Sequence, residues 1–317
     1  MKVFVTGATG FVGHEILRQL HFDKHAIHVL ARDPGSPRGR ELAQRYQARI
    51  HAGDILNPSG LESSLAGSEA IIHLVGIISE AGSQTFENIH TKGTQTVVEA
   101  ARRARVQRVI HMSALGSQAA AKSRYHRSKW AAEEIVRGSA LDYTIFRPSI
   151  IYGPEDKFVN TFAKLSRFSP LMPVIGKGNG LLQPIGLENV AAAFVRSLTV
   201  PQAVGQTFDL CGPERLTFNQ VLDEIMMVTK HRRLKIHLPV SIAWQMAKIM
   251  EFGFVRLLRR APPLNRDQIV MLQDDNVGDP EPAGKLFGLE QAAFREGISR
   301  YLTRSGTSAK LPVDTNP

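Results

Sequence analysis

The sequence predicts an α/β fold, a doubly wound parallel sheet followed by a smaller C-terminal lobe, and three observations support this. Short apolar runs alternate with segments of helical periodicity through the first half, an order typical of parallel strands joined by helices. The runs are apolar almost throughout, as expected for strands that are covered on both faces. A glycine-rich turn joins the first run directly to the first helix.

The elements are predicted in order from these patterns. The first helix begins at Phe11, with apolar residues at helical spacing. Beyond residue 154 helical and loop patterns dominate, with one further strand near 207–212. We therefore predict a first domain over 1–154, a smaller lobe over 155–303 that is partly interleaved with the sheet, and a mobile tail over 304–317. The predicted strands of the first domain are residues 2–7, 27–32, 48–54, 70–76 and 106–114.

Composition and charge narrow the possible functions. The 317 residues are 43% hydrophobic and carry a net charge of +10, which favours an anionic partner. The basic residues are spread along the chain without zinc-finger spacing or interleaved aromatics, so we expect neither a nucleic-acid partner nor a metal site. Cys211 is the single cysteine, which excludes an internal disulfide and fits a reducing compartment. Because no signal-like segment precedes the first strand, a cytoplasmic location is expected.

The glycine-rich turn, TGATGFVG, predicts a dinucleotide site of the Rossmann type. It follows a strand and opens a helix, which is the context that this motif requires. Glycine permits positive φ and close approach of a pyrophosphate, and the helix start offers free N–H groups. The alternative is a tight turn that binds nothing. The expected cofactor contacts in the turn are Gly7, Thr9, Gly10, Phe11, Val12 and Gly13.

The end of the second strand favours NADP(H). An acidic residue at this position binds the ribose of NAD, whereas Arg32 is found here. A guanidinium matches a 2′-phosphate, so Arg32 and Arg38 are assigned to that group. Asp33 keeps NAD(H) open as the alternative.

Residues that follow the third and fourth strands lie at the same predicted edge of the sheet. Asp54 and Ile55, together with Val75 and Gly76, are therefore expected to contact the cofactor. The Asp54 carboxylate could accept a hydrogen bond from the adenine amino group. It could equally cap a short turn.

The stretch SRYHRSKWAAEE supplies the candidate catalytic group. Tyr125 and Lys129 are four residues apart, so a helix places both on one face. A nearby ammonium favours a phenolate and is expected to lower the pKa of Tyr125 from about 10, which suits proton exchange with an alcohol or carbonyl. Ser113, just past the fifth strand, could hydrogen-bond the reacting oxygen. The neighbouring His126 is expected on the surface.

These motifs, with GDI, HMSALG and RPSIIYGP, resemble the extended or atypical short-chain dehydrogenases/reductases over residues 1–154. The resemblance implies that Tyr125 is the general acid/base and that Ser113 orients the substrate oxygen. It implies that Lys129 lowers the pKa of the tyrosine and holds the nicotinamide ribose, and that Arg147, Pro148 and Ser149 border the nicotinamide. Many extended members carry an asparagine of a proton relay where this chain has His90. Either His90 relays protons and contacts the cofactor, or the relay is absent.

A second resemblance extends further along the chain. SALGS, EDKFVNTFAKL and LLQPIGLENVA resemble the nucleotide-binding accessory subunit of respiratory complex I and its bacterial relatives. That resemblance implies tightly held NADPH and a role in assembly or stability rather than turnover. The family also implies a homodimer through helices within 86–137.

The stretch 237–263 is apolar along most of its length and ends in Arg256, Arg259 and Arg260. Gln245 and Lys248 make it too polar to span a bilayer. It could lie on a membrane surface, dock on a membrane complex, or be a helix with its apolar face in the core, which is the commonest arrangement. A peripheral position at the inner face of a membrane follows from the first two alternatives.

Together these patterns predict an NADP(H)-binding protein of the short-chain dehydrogenase/reductase type. It would transfer hydride between the nicotinamide and a carbonyl or alcohol substrate that the sequence does not identify. Two alternatives are kept: a non-catalytic NADP(H)-binding accessory subunit of a membrane respiratory complex, and an NAD-dependent nucleotide-sugar epimerase or dehydratase.

Overall fold

Thirteen strands form the sheets of the described chain. A computed structural model describes residues 1–257 and 260–303, so the tail predicted for 304–317 lies outside the described residues. The strands are β1 (Lys2–Thr6), β2 (Ala26–Ala31), β3 (Arg49–Ala52), β4 (Ala70–His73), β5 (Arg108–Met112), β6 (Asp142–Pro148), β7 (Ile151–Tyr152), β8 (Leu171–Ile175), β9 (Leu181–Leu182), β10 (Ile185–Gly186), β11 (Gln206–Leu210), β12 (Leu216–Thr217) and β13 (Leu234–Leu238).

Seven strands make one parallel sheet in the order β11-β6-β5-β4-β1-β2-β3. The predicted doubly wound α/β fold is confirmed. The chain reverses its direction of winding between β1 and β4, and in such sheets the crevice outside the carboxyl ends of the strands at this point binds the ligand.

Twelve α-helices accompany the strands in the part of the chain that the structure describes. They are α1 (Phe11–Phe22), α2 (Pro37–Tyr46), α3 (Leu61–Leu65), α4 (Gly93–Arg103), α5 (Arg124–Arg137), α6 (Phe158–Phe168), α7 (Leu187–Arg196), α8 (Phe218–Thr229), α9 (Val240–Glu251), α10 (Arg266–Met271), α11 (Glu281–Phe287) and α12 (Phe294–Leu302). A π-helical turn, Glu87–Lys92, leads into α4. Helices α1, α2, α7 and α11 cover one face of the sheet, and α3, α4 and α5 cover the other.

The second half of the chain shares the sheet and adds a small lobe. The strand predicted near 207–212 is β11, which extends the sheet beside β6. Three two-stranded sheets, β7/β10, β9/β12 and β8/β13, belong to the lobe. Helices α6, α8 and α12 close a separate core there around Phe218 and Phe294. The division at residue 154 stays a prediction, because α7 and α11 pack on the central sheet.

The stretch 237–263 contains the end of β13, the single linking residue Pro239, the helix α9 and a π-helical turn, Phe252–Leu257. Arg259 lies outside the described residues. Ala243 and Ala247 of α9 are buried, whereas Ile242 and Ile249 are exposed. No helix in the described ranges is long and apolar enough to cross a membrane.

A substitution at Phe146 tests the packing of the central sheet. Its ring centroid lies 4.7 Å from that of Phe194, 5.9 Å from Phe208 and 5.5 Å from Phe287. Because all contacts of the ring would be lost, we expect Phe146→Ala to lower the free energy of unfolding by about 3–5 kcal/mol. Urea titration followed by circular dichroism measures this. Phe22→Ala, at an 80% exposed position, is the control, and an equal loss in both variants would contradict the packing described.

Candidate functional site

The turn between β1 and α1 has the shape that a pyrophosphate requires. Gly7 adopts φ +80°, and the Gly10 N–H donates to the Gly7 carbonyl at 3.0 Å. A Cβ at Gly13 would lie 2.5 Å from both the Ala8 Cα and the Gly7 oxygen, so only glycine fits there. No side chain caps the start of α1 at Phe11. Its N–H groups therefore remain available for an anion, and these residues fit a dinucleotide.

Arginines stand beside this turn, as the cofactor prediction requires. The Arg38 Nη1 donates to the Thr9 carbonyl at 2.8 Å, which brings this guanidinium to the glycine turn. Arg32 is the first residue after β2 and is exposed. Asp33 is exposed beside it, so the position keeps both a cation for a 2′-phosphate and a carboxylate for a ribose hydroxyl.

The loops after β3 and β4 approach the same edge. One Asp54 carboxylate oxygen accepts the Leu56 N–H at 2.9 Å, so this oxygen caps a short turn as the alternative assignment expected. Gly76 lies close to the candidate catalytic groups. A Cβ built on Gly76 would be 3.5 Å from the His90 Nε2 and 3.7 Å from the Lys129 Nζ.

Helix α5 carries Tyr125 and Lys129, and residues of both lobes cap its N-terminus. The Ser123 Oγ accepts the His126 N–H at 3.0 Å. The Asp267 carboxylate, from the second lobe, accepts the backbone N–H groups of Arg124 at 2.7 Å and Tyr125 at 2.9 Å. A carboxylate at a helix N-terminus also interacts favourably with the helix dipole. Asp267 is therefore a positioning residue that the sequence reading missed, because it lies 142 positions from Tyr125.

Tyr125 is enclosed by aromatic rings. Its ring meets those of Phe86, His90 and His126 at centroid distances of 5.8, 5.5 and 5.3 Å, all near edge-on. Burial raises the pKa of Tyr125 to about 12, opposite to the lowering expected from Lys129. The expected surface position of His126 is also wrong, because the side chain is buried beneath Gly116.

Lys129 is a buried ammonium. Its side chain is 3% exposed, and the Nζ donates to the Met112 carbonyl at 2.5 Å. Burial lowers the pKa of Lys129 to about 8, while the charge of Glu133 acts in the opposite direction. The neighbouring His73 and His111 are buried as well, and both have a lowered pKa, so they stay neutral and add no second positive charge beside Lys129.

The hydrogen bonds of His90 fix its protonation. Its Nε2 accepts the Ile77 N–H at 3.0 Å, so the proton sits on Nδ1, which donates to the Ser128 Oγ at 2.8 Å. The Ser128 hydroxyl then donates to the Tyr125 carbonyl at 2.7 Å. Burial lowers the pKa of His90 to about 2. Both ring nitrogens are engaged with the protein in this arrangement, which favours a positioning role over the proton relay.

Ser113 and Arg147 meet at a residue that the sequence reading did not identify. The Ser113 Oγ donates to the Glu133 Oε1 at 2.5 Å, and Arg147 binds the same carboxylate through two bonds of 2.8 and 2.6 Å. Arg137 adds a third donor at 2.6 Å. The roles of Ser113 and Arg147 toward substrate and nicotinamide stay predictions. The signal for Glu133 was in the sequence, since it follows Tyr125 and Lys129 at four-residue spacing.

Residues 265–276, here called the closing segment, connect the second lobe to the edge of the sheet. The Asn265 amide donates to the Ile78 carbonyl at 3.1 Å, in the loop after β4. Asp274 pairs with Lys122 at 3.0 Å, just before α5. The Ser149 hydroxyl, which follows Pro148 at the end of β6, donates to the Asn276 side chain at 2.5 Å. Within this segment, Asp267 contacts Tyr125 directly through the backbone N–H.

A family model described as NAD(P)H-binding matches residues 7–169, slightly more than half of the chain. The match includes the glycine turn and both members of the Tyr125/Lys129 pair. The chain belongs to the NAD(P)H-binding family. The resemblance to the short-chain dehydrogenases/reductases is thereby confirmed at the level of cofactor class and fold, while the choice between NADP(H) and NAD(H) is not determined by family membership.

Two of the curated relatives have different functions. The chain is 29% identical over 280 residues to the mitochondrial NADH dehydrogenase (ubiquinone) 1 alpha subcomplex subunit 9 of Arabidopsis thaliana, covering 86% of this chain and 68% of that protein. It is 34% identical over 200 residues to a ceramide reductase of Caulobacter vibrioides, covering 63% of this chain and 61% of the reductase. This NAD(P)H-binding chain is thus related both to a respiratory-complex subunit and to a reductase.

Solved structures support the fold. The UDP-glucose 4-epimerase of Thermotoga maritima, solved with UDP-glucose, superposes with a TM-score of 0.73 over 96% of this chain and 99% of the epimerase. The sequence identity is 18%, so the likeness shows the fold alone.

The buried ammonium gives a pH-dependent stability. Because the pKa of Lys129 is lowered to about 8, the unfolded chain binds more protons between that value and the ordinary value of 10.5, and stability rises with pH through this window. We expect the free energy of unfolding of the cofactor-free protein to gain about 2 kcal/mol between about pH 7.5 and about pH 9.5, relative to Lys129→Met. Denaturant titration at both pH values measures the difference. Lys248→Met removes an exposed lysine and should leave the gain intact, whereas a gain that persists in Lys129→Met would contradict the assignment.

Proposed function

We propose that the chain is an NADP(H)-dependent reductase of carbonyl compounds. The observation that carries this proposal is the placement of Tyr125 and Lys129 on one face of α5, at the sheet edge that also holds the glycine turn. Gly76, which follows the strand next to β1, lies within contact distance of Lys129 and so links the two features.

The protonation of the site suits the reductive direction. The bound nicotinamide would supply a hydride to the carbonyl carbon, and the developing alkoxide needs a proton. Tyr125 retains its proton at neutral pH because burial raises its pKa to about 12. Lys129 stands one helical turn away as a cation that can support charge on the phenolic oxygen. His90, held neutral, fixes the loop after β4 beside them.

Arg32 and Arg38 are proposed to bind the 2′-phosphate of NADP(H). Arg38 is held beside the glycine turn by its bond to Thr9, and Arg32 follows β2 directly. A guanidinium pairs with a phosphate through charge-assisted hydrogen bonds that a 2′-hydroxyl cannot replace. The carboxylate of Asp33 supports the alternative choice of NAD(H).

The substrate is proposed to be a long-chain carbonyl compound. The relative from Caulobacter vibrioides is named for its action on ceramide, which is a lipid. The second lobe, from which substrate sites of this fold are built, exposes large apolar side chains on β13 and α9.

A second candidate is a non-catalytic NADP(H)-binding subunit of a membrane respiratory complex. The closing segment favours it, because Asn265, Asp267, Asp274 and Asn276 bond directly to the loops around Tyr125, where a substrate would enter. The Arabidopsis thaliana relative is a subunit of such a complex. Under this proposal NADPH would be retained through purification and would not exchange.

The cofactor proposal is tested by Arg32→Ala combined with Arg38→Ala. Loss of charge-assisted bonds should weaken NADPH binding about tenfold to hundredfold and leave NADH binding nearly unchanged. Fluorescence titration with both nucleotides measures this. Arg49→Ala removes an exposed arginine at the opposite end of the strands and is the control. Equal weakening of both nucleotides would contradict the assignment to the 2′-phosphate.

Catalysis is tested by Tyr125→Phe. Loss of the phenolic proton should lower turnover by about a hundredfold to ten-thousandfold while NADPH affinity is kept. Consumption of NADPH with aldehydes and ketones of graded chain length, dispersed in detergent micelles, measures turnover. Unchanged turnover in the variant would refute the role of Tyr125. NADPH that co-purifies, does not exchange and reduces none of these carbonyls would favour the subunit; retained NAD would instead favour an epimerase.

A further inference from the structure

Large apolar side chains are exposed mainly in one part of the second lobe. Among the described residues, fifteen large hydrophobic side chains are exposed, and eight of them lie between residues 227 and 252. This stretch contains the end of α8, the strand β13 and the helix α9. Single exposed apolar residues are normal on protein surfaces, but such a concentration indicates a binding surface.

Strand β13 contributes the first part of this surface. It pairs with β8 so that Leu234 stands opposite Leu171 and Ile236 opposite Pro173. All four residues are exposed, whereas Met172 and Val174, at alternate positions of β8, are buried in the lobe core. The two-stranded sheet therefore presents an apolar outer face.

Helix α9 contributes the second part, two residues after β13 ends. Ile242, Met246 and Ile249 follow one another at i, i+4 and i+7 and are 50%, 41% and 71% exposed. The opposite side of the helix buries Ala243 and Ala247. The usual orientation of an amphipathic helix is thus reversed, since the large apolar residues face outward and the small ones face the protein. We call Leu171, Leu234, Ile236, Ile242, Met246 and Ile249 the apolar surface.

The same stretch of sequence is basic. Residues 227–260 contain eight Lys or Arg and one acid, a net charge of +7, against +10 for the whole chain. Glu251 is the acid, and it is already paired with Arg266 at 2.8 Å. Lys235 is paired with Asp223 at 2.8 Å. The apolar surface is therefore accompanied by exposed cations such as Lys230, Arg232 and Lys248.

We propose that the apolar surface rests on an anionic phospholipid bilayer. A bilayer of this kind offers hydrocarbon to the apolar residues and negative headgroups to the lysines and arginines. A second copy of the chain is a poorer occupant, because it would bring two stretches of +7 together. The inference goes beyond the proposed reductase, since membrane attachment does not depend on NADPH or on Tyr125.

The test uses the full chain and vesicles of known composition. Flotation is measured with phosphatidylcholine vesicles and with vesicles that also contain phosphatidylglycerol. We expect binding to the anionic vesicles and a progressive loss with added salt, because ionic strength screens the attraction of exposed charges.

Two kinds of variant locate the contact. Ile242→Glu with Ile249→Glu should weaken vesicle binding about tenfold or more, since two exposed apolar side chains no longer enter the interface. Arg232→Glu with Lys248→Glu should weaken binding to anionic vesicles by a similar factor. Phe22→Glu, at an 80% exposed apolar position in the first domain, should bind as the unchanged protein does. Thermal unfolding checks that each variant is folded. If the isoleucine double variant does not fold, the Arg232/Lys248 double variant alone locates the contact.

Three results would overturn the proposal. The first is that the unchanged protein does not float with anionic vesicles at low salt. The second is that both double variants bind as well as Phe22→Glu. The third is self-association that the isoleucine variant abolishes without any vesicle binding, which would assign the surface to a second copy. NADPH titration of the same samples is independent of all three, so failure of this proposal is distinguishable from failure of the reductase proposal.

Discussion

The buried ammonium of Lys129 is the constraint on which the site depends. A cation that is removed from water is stabilised only by hydrogen bonds and charges placed around it. Here the Met112 carbonyl accepts one bond, and the surrounding His73, His90 and His111 have lowered pKa values. The nearest carboxylate along α5, that of Glu133, is shared by Arg147 and Arg137. The Lys129 ammonium is thus buried without a matching negative charge, which is why its pKa is lowered.

The lack of compensating negative charge around Lys129 explains why Lys129 and Tyr125 do not have the matched pKa values of a catalytic pair in the cofactor-free protein. Burial opposes the charged form of both side chains, which raises the pKa of Tyr125 and lowers that of Lys129. Under the proposed function, hydroxyl groups of a bound nucleotide would add hydrogen-bonding partners that the protein alone does not provide.

Both lobes hold the helix that carries this pair. The Asp267 carboxylate caps α5 from the second lobe, while Ser123 caps it from within the first domain. Any movement of the closing segment would therefore change the start of the helix at Tyr125 itself. A substrate that displaced this segment would reach the site at the expense of two charge-assisted hydrogen bonds, each worth about 1.5–3 kcal/mol in general.

The features that the sequence predicted correctly are those that depend on interactions between residues close together in the chain. The strands, the glycine turn and the helix of Tyr125 were predicted because apolar periodicity and glycine spacing act within a few residues. The partners of Ser113 and Arg147 were not, because their bonds to Glu133 depend on how β5, β6 and α5 pack. The cap by Asp267 joins residues 142 positions apart, and no spacing rule reports such a contact. His126 was misplaced because the loop at Gly116, which covers it, is also a tertiary feature.

The orientation of α9 follows from its small residues. Ala243 and Ala247 allow this helix to pack closely on Ile269 of α10. Ile242, Met246 and Ile249 lie on the other side of the helix and therefore face outward. An isolated globular protein gains nothing from that arrangement, since burying such side chains is worth about 1.5–3 kcal/mol each. Residues 227–260 also carry a net charge of +7, which disfavours contact between two copies of this surface. Exposed aliphatic side chains surrounded by cations are stable in one setting that satisfies both, the boundary between water and an anionic lipid phase.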